Sequence, residues 1–351
     1  MRIALNIYTR RMTHHVRRTT EHTLKKRGGI GIVGTGKYVP TKVLSNADLE
    51  KMVDTSDEWI MTRTGIKERR IAAEGVATAF MGAEAAKEAI ENAGMHVDNI
   101  ELIIVATITP DMQFPSTACL IQSRLGANNA VCFDISAACS GYVYGIAIAQ
   151  QFIKTGLYKN ALVIGTEKMS SITDWKDRNT CILFGDGAGA CVMQKVEKGG
   201  ILSVYLGSDG RNAPLLEVPA GGSLRPATHN TIDERLHYVK MSGGELFKEA
   251  VSIMAEAGNR ALALSGLKCR DIDLVIPHQA NIRILWAVAK KMNLPKEKVY
   301  LNIDRYGNMS SASTAVAIAE AVAEGRIKKG DIIILDAFGA GLTWGAVVIE
   351  W

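Results

Sequence analysis

The chain has 351 residues, 47% of them hydrophobic and 22% charged, with a formal net charge of +5. That length supports a large core and two domains or one duplicated unit, and no apolar run approaches the roughly eighteen residues that a membrane-spanning helix needs. The positive charge is concentrated in Arg2, Arg10, Arg11, Arg17, Arg18, Lys25, Lys26 and Arg27, set against Glu21 alone, so a general nucleic-acid-binding surface on the near-neutral remainder finds no support.

The basic extension over 1–28 has no secretory cleavage site, and its Arg and Thr content faintly resembles an organellar transit segment. A disordered tail, or a start codon set too far upstream, accounts for it better. The folded body is expected to begin near Gly29. From there Gly29 to Gly36 reads as a first strand ending in glycines. It contains a GxGxxG-like string, but its glycines lie within the strand and no acidic partner follows at the expected distance, so a tight turn is a better use than a dinucleotide site. Ser45 to Glu50 reads as a capped helix start, and Asp57 to Arg63 as a short helix with Trp59 and Arg63 four apart on one face. An aromatic and a guanidinium so placed suit a flat, phosphate-bearing ligand or an ordinary surface stack.

Met81 to Gly94 is an amphipathic helix stopped by glycine, Ile100 to Ile108 a buried strand, and Thr117 to Leu125 a further helix. Next comes Val131 to Gly141, where a strand-length apolar run passes through Ala137 and Ala138 to Cys139 before the helical stretch Tyr142 to Ile153. A helix start offers unpaired N–H groups and a positive dipole end, which favour a thiolate and hold an oxyanion. Such a cysteine is equally well a buried structural thiol. The six cysteines, 119, 132, 139, 181, 191 and 269, show no CxxC pair and no metal-ligand spacing with His; they read as reduced thiols of a cytosolic protein, with no metal site.

The second half repeats the first. Asn99-Ile100-Glu101-Leu102-Ile103 is echoed by Asp271-Ile272-Asp273-Leu274-Val275 at an offset of 172, and Glu84-Ala85 by Glu256-Ala257 at the same offset. Phe184-Gly185-Asp186-Gly187 is matched by Phe338-Gly339-Ala340-Gly341, each ahead of a β-branched strand. Two alternating strand–helix halves predict a duplicated α/β protein with largely parallel strands and a site at the strands' carboxyl ends. Two more stretches then stand out. His278 follows the strand Asp273–Pro277 and precedes the helix Ile282 to Met292; Asn308 sits in a small-residue turn before the helix Ala315 to Ala323. Singly, a His there is a structural residue and an Asn a cap. Three compatible groups at three strand-to-helix corners favour a Cys139/His278/Asn308 site.

The strings at 57–69 (DEWIMTRTGIKER), 135–146 (ISAACSGYVYGI), 183–190 (LFGDGAGA), 275–284 (VIPHQANIRI), 305–313 (RYGNMSSAS) and 337–345 (AFGAGLTWG) resemble, in order and spacing, the β-ketoacyl-acyl carrier protein synthase III family. That resemblance runs from Gly29 to Trp351. It implies the thiolase-like duplicated five-layer αβαβα fold, with halves at 29–200 and 201–351, and a cytoplasmic homodimer. It implies an enzyme that joins an acyl-CoA primer, acetyl-CoA by expectation, to malonyl-acyl carrier protein by decarboxylative Claisen condensation, starting fatty acid synthesis. No cofactor is implied, since acyl-CoA and malonyl-acyl carrier protein are substrates. Cys139 becomes the nucleophile, and His278 and Asn308 the pair serving decarboxylation. The backbone N–H groups of Cys139 and Ala340 become the oxyanion donors. The family has glycine at the latter position, and alanine serves there only if its φ is negative. Trp59 and Arg178 would sandwich the CoA adenine, Arg63 face its phosphates, and Gly243 and Asn281 line the pantetheine tunnel. Phe114 would cap the acyl pocket of the dimer mate, and Lys248, Arg283, Lys290 and Lys291 would dock the acidic carrier protein.

Other classes remain distinct expectations. A related Cys/His/Asn condensing enzyme of secondary metabolism (quinolone, polyketide or head-to-head) shares the triad, but Trp59/Arg63 and the intact PHQANIR string favour the starter enzyme. A Cys/His/Asn hydrolase needs no duplicated frame, and a silent scaffold needs no intact triad.

Overall fold

The computed structural model describes residues 28–351, so the extension read over 1–28 falls, Gly28 apart, outside the described residues. The first half contains β1 (Ile30–Tyr38), β2 (Lys42–Ser45), β3 (Glu68–Ile71), β4 (Leu102–Ala106), β5 (Val131–Ile135), β6 (Asn160–Lys168) and β7 (Asp186–Lys195). The second contains β8 (Gly200–Ser208), β9 (Leu216–Glu217), β10 (Lys240–Met241), β11 (Leu274–Pro277), β12 (Ile332–Gly339) and β13 (Thr343–Glu350).

The duplication is visible in the two main sheets. The first has the order β1-β7-β6-β4-β5, and the second runs β8-β13-β12-β11 in the corresponding order. In both, the second strand runs antiparallel to the neighbours on either side and the next pair is parallel, β6 with β4 and β12 with β11. β5 adds a further parallel strand in the first sheet; its counterpart shrinks to a single bridge between Val275 and Val299. Within each main sheet every strand but one runs the same way, as the expectation of largely parallel strands has it; only the last strand of each half, β7 and β13, reverses, returning beside its predecessor rather than by a helical crossover.

Five layers follow from side-chain alternation. Leu102 and Ile104 on β4, and Ile333 and Leu335 on β12, pack into one central core with the helices Gly141–Thr155 and Ser311–Ala323 between the sheets. Ile103 and Val105 face outward onto the helices Thr78–Asn92 and Thr117–Leu125. Val275 and Ile334 face the helices Gly243–Ser265 and Ile282–Lys291 on the other side. The central layer is thin because its residues are small. A Cβ placed on Gly189 would lie 2.4 Å from the Ala315 carbonyl carbon, which is why the stretch after Phe184 is glycine-rich.

Candidate active site

The central helix Gly141–Thr155 begins at the carboxyl end of β5 through a tight turn, Ala138–Ser140, that carries Cys139. The turn is strained: Ala138 has φ of 45°, a left-handed conformation costly for any residue with a Cβ. It is held from both sides, because the hydroxyls of Ser140 and Thr343 lie 2.7 Å apart and both reach the Ala137 carbonyl, at 2.7 and 2.9 Å. Thr343 also lies 3.0 Å from the Ala340 carbonyl, which couples the Cys139 turn to the loop joining β12 and β13. Ala340 is not among the residues with positive φ, so alanine sits there without backbone strain.

Cys139 is buried, and desolvation pushes its thiol up to about 12; the charge of nearby Glu167 acts in the same direction, against the nearby Ser310 hydroxyl and the Cys139 N–H. Activation by the helix start alone, expected from position, is thus outweighed by burial in the resting protein. His278 follows β11, with its N–H donating to the Asp336 carbonyl at 2.7 Å. Burial pulls the imidazole down to about 3, so it is neutral at physiological pH.

Asn308 departs from the expected strand-to-helix corner. It lies between the short helix Ile303–Tyr306 and the helix Ser311–Ala323, tied to Phe184 by one bridge. Its Oδ1 accepts from Ser310 N at 2.8 Å, which commits that oxygen and leaves the amide N–H groups as donors. Cys139, His278 and Asn308 line one cavity of about 1150 Å³, with Gly339, Ala340 and Gly341 in the same wall.

One neighbour of this corner was missed in the sequence. Glu167, at the end of β6, is fully buried and accepts from Ile108 N at 3.1 Å and from the hydroxyls of Thr107, Thr109 and Ser311 at 3.1, 2.6 and 3.0 Å. Ser311 starts the helix after Asn308, so the carboxyl joins the nucleophile's half to the Asn308 turn. A lone acid ending a β-branched strand was the only signal.

At the mouth, Trp59, Arg63, Gly243, Lys248, Asn281 and Arg283 line the same cavity. The Arg178 and Arg63 guanidiniums stand 4.6 and 4.7 Å from the Trp59 ring centroid, and Arg178 donates to the Asp54 carbonyl at 2.7 Å. The Arg178 guanidinium thus covers the face of the Trp59 indole. Asn281 spends its side chain locally, accepting from Arg283 N and donating to the Arg63 carbonyl, each at 2.9 Å. Arg283 stacks 5.5 Å from the Phe247 ring centroid, Lys291 donates to Ser252, and Lys290 is exposed beside them. Phe114 lies outside the cavity, 83% exposed. Among the described residues no group of three or more His, Cys, Asp or Glu is placed to hold a metal ion, and no helix is long and apolar enough to cross a membrane.

Comparison with known proteins agrees with this geometry. The family 3-oxoacyl-[acyl-carrier-protein (ACP)] synthase III matches residues 133–210, and its C-terminal region matches 262–351. The chain is 58% identical over 322 residues to the beta-ketoacyl-[acyl-carrier-protein] synthase III of Caldanaerobacter subterraneus, covering 92% of this chain and 97% of that one. It is 56% identical over 321 residues to the protein of that name from Clostridioides difficile, covering 92% and 98%. The crystal structure of 3-oxoacyl-[acyl-carrier-protein] synthase III from Aquifex aeolicus superposes with a TM-score of 0.86 at 51% identity, over 92% of this chain and all of that one. With Cys139, His278 and Asn308 lining one cavity of a duplicated thiolase-like frame, the chain belongs to the β-ketoacyl-acyl carrier protein synthase III family.

Proposed function

We propose that this protein condenses an acyl-CoA primer with malonyl-acyl carrier protein, releasing CO₂ and CoA and giving 3-oxoacyl-acyl carrier protein, the first carbon–carbon bond of fatty acid synthesis. One observation carries this reading: a buried thiol and two neutral donors, His278 and Asn308, line one cavity whose wall also contains the Gly339–Gly341 loop. The relatives' names and identities favour fatty-acid initiation over secondary metabolism.

In the first half-reaction the Cys139 sulfur attacks the acyl-CoA thioester. The negative charge on the former carbonyl oxygen meets the N–H groups of Cys139 and Ala340, each donor being worth about 2.7–4 kcal/mol in a water-poor site. The tetrahedral intermediate expels CoA, whose sulfur ends with the proton that Cys139 gave up. In the second half-reaction the malonyl carboxylate leaves as CO₂ and its bonding pair becomes an enolate. Neutral His278 and the committed amide of Asn308 donate to the enolate oxygen, and its carbon attacks the acyl-cysteine. Collapse returns Cys139 and frees the product.

Trp59, Arg63 and Arg178 suit the nucleotide end of CoA, and Gly243 and Asn281 its pantetheine arm. Lys248, Arg283, Lys290 and Lys291 form the face that would receive an acidic carrier protein. The chemistry needs no resident cofactor. We place the protein in the cytoplasm as a homodimer; the dimer reading is supported by the sheet edge at β5, where Val131 is 50% exposed, and by Phe114, 83% exposed. Incubation with acetyl-CoA and malonyl-acyl carrier protein should give 3-oxobutanoyl-acyl carrier protein and CO₂ in equal amounts. Release of CoA without a new carbon–carbon bond would sink the reading, and light scattering at a monomer mass would sink the dimer.

A further inference from the structure

The helix Ser311–Ala323 is buried from Ser311 to Ala321 and built there of small and apolar residues, with one acid among them, Glu320, 2% exposed. A carboxylate at that depth persists only where donors surround it. Four converge on Glu320: the Asn302 amide at 2.9 Å, the Arg305 guanidinium at 3.0 Å, the Tyr306 hydroxyl at 2.5 Å and the Lys37 ammonium. Neither Glu320 nor any of the four lines the cavity, so the cluster reaches the chemistry only through other residues. Three of its donors, Asn302, Arg305 and Tyr306, lie on or beside the helix Ile303–Tyr306, and Gly307 and Asn308 follow at once. Glu320 stands on the helix that begins just after Asn308, so its carboxylate staples the chain entering the Asn308 turn to the chain leaving it. That turn is not one the backbone prefers: Gly307 has φ of 64° and Ser310 φ of 48°, the latter costly for a residue with a Cβ. Inside it, Asn308 N donates to the Leu183 carbonyl at 2.8 Å, Gly185 N donates to the Asn308 carbonyl at 3.0 Å, and Met309 N donates to Ser313 Oγ at 2.8 Å. The His278 side joins the same network through its neighbour Gln279. The Gln279 Oε1 accepts from Asn302 N at 3.1 Å, and its amide donates to the Pro277 and Tyr300 carbonyls at 2.8 and 3.2 Å. One buried chain of bonds thus runs from the end of β11 through Gln279 and Asn302 to Glu320, and back through Tyr306 to Asn308.

We propose that Glu320 is a positioning residue, setting where the Asn308 amide stands relative to His278 so that both donors meet one enolate oxygen; this rests on the condensing function proposed above. Two donors serve one developing charge only when both reach it, and a misplacement of about 1 Å costs about 10²-fold. In Glu320→Gln the side chain keeps its shape, but an N–H group faces donors where an acceptor stood. Lys37 and Arg305 are part-exposed and can turn to water, Arg305 also towards Glu324 at 3.6 Å. Asn302 and Tyr306 are buried, so the relief must come from a shift of the stretch that carries Asn308.

The test compares the full-length parent with Glu320→Gln in two steps measured apart: acyl-enzyme formed from acetyl-CoA, by mass spectrometry, and CO₂ released from malonyl-acyl carrier protein by the preformed acyl-enzyme. The expected result is acylation within about twofold of the parent and CO₂ release slowed about 10²-fold, with the malonyl-acyl carrier protein concentration at half-maximal rate unchanged. In an Asn308→Ala background, adding Glu320→Gln should slow CO₂ release by less than about threefold more, because the amide it positions is gone. Tyr306→Phe removes one donor and leaves both cations paired; it should show the same one-sided loss at about tenfold, and it decides if Glu320→Gln does not fold. Acylation and CO₂ release falling alike, no loss in either, or the full loss repeated in the Asn308→Ala background overturns the proposal. A parent that releases no CO₂ sinks the condensing function and this proposal with it, whereas an active parent with an equally active variant sinks the proposal alone.

Discussion

Gly339 presses so closely on Cys139 that a Cβ added to it would fall 2.6 Å from the Cys139 backbone nitrogen and 3.2 Å from the Ala138 Cβ. The strand that leads into Ala340 therefore packs directly against the Cys139 turn, the contact on which the proposed oxyanion donors depend. Gly339→Ala should force the loop away and cost the use of one donor, about 10²–10³ in acylation rate. Rapid-quench mass spectrometry of the acyl-enzyme measures this, with an unchanged thermal midpoint separating it from misfolding; acylation at the parent rate would refute the close-packed oxyanion site.

The division of labour between the halves predicts asymmetric losses. Cys139→Ala should abolish acyl-enzyme formation from acetyl-CoA. His278→Ala and Asn308→Ala should leave the acyl-enzyme measurable while slowing decarboxylation of malonyl-acyl carrier protein by about 10²–10³, the usual effect of losing one aimed donor. Equal loss of acylation in all three variants contradicts the assignment.

Titration of the resting site follows from burial. With its thiol pushed up to about 12, Cys139 should react with iodoacetamide at a rate still rising about tenfold per pH unit between pH 7 and 9, with no plateau near the usual cysteine range. His278, held down to about 3, stays neutral across that window, so the decarboxylation step should show no inflection from imidazole protonation between pH 5 and 8. For stability the sign is the reverse of a salt-bridged histidine: the folded value is depressed, so stability falls as pH drops below 6.5 towards 3. An inflection in decarboxylation near pH 6.5 that vanishes in His278→Gln would overturn this account.

Asp336, whose carbonyl accepts from His278 N, offers a second pH test. It is fully buried on β12, neither carboxyl oxygen has a partner among the described residues, and desolvation raises it well above 3.8. A carboxyl raised by folding contributes its stability below the unfolded value and loses it as pH rises. Asp336→Asn should therefore match the parent near pH 4 and exceed it in thermal midpoint at pH 8. Denaturation curves at the two pH values decide; a parent that gains stability from pH 4 to 8 relative to Asp336→Asn would contradict it.

Much of this was legible in one dimension. The shared offset of 172 announced a duplication that the two sheets repeat in four strands, β5 alone lacking a full counterpart, because burying two equivalent faces demands two equivalent apolar patterns. Cys139 and His278 stood out because a strand end followed at once by a helix start is written in local composition. Asn308 stood out for the wrong local reason, since its turn follows a short helix rather than a strand. The reversal of β7 and β13 against their sheets was not legible, because β-branched runs carry no sense of direction.

What the chain determined by itself was the inventory and its spacing: a small-residue turn at Cys139, neutral donors in the other half, and an alanine in place of a loop glycine. Only the tertiary structure decided what those groups are. Burial, which depends on partners remote in the chain, holds Cys139 as a thiol and His278 neutral. The strain at this corner falls on Ala138, with φ of 45°, and not on Ala340. Long-range packing likewise brought Glu167 onto Ser311 and Gly339 onto the Cys139 nitrogen, contacts that no local pattern encodes.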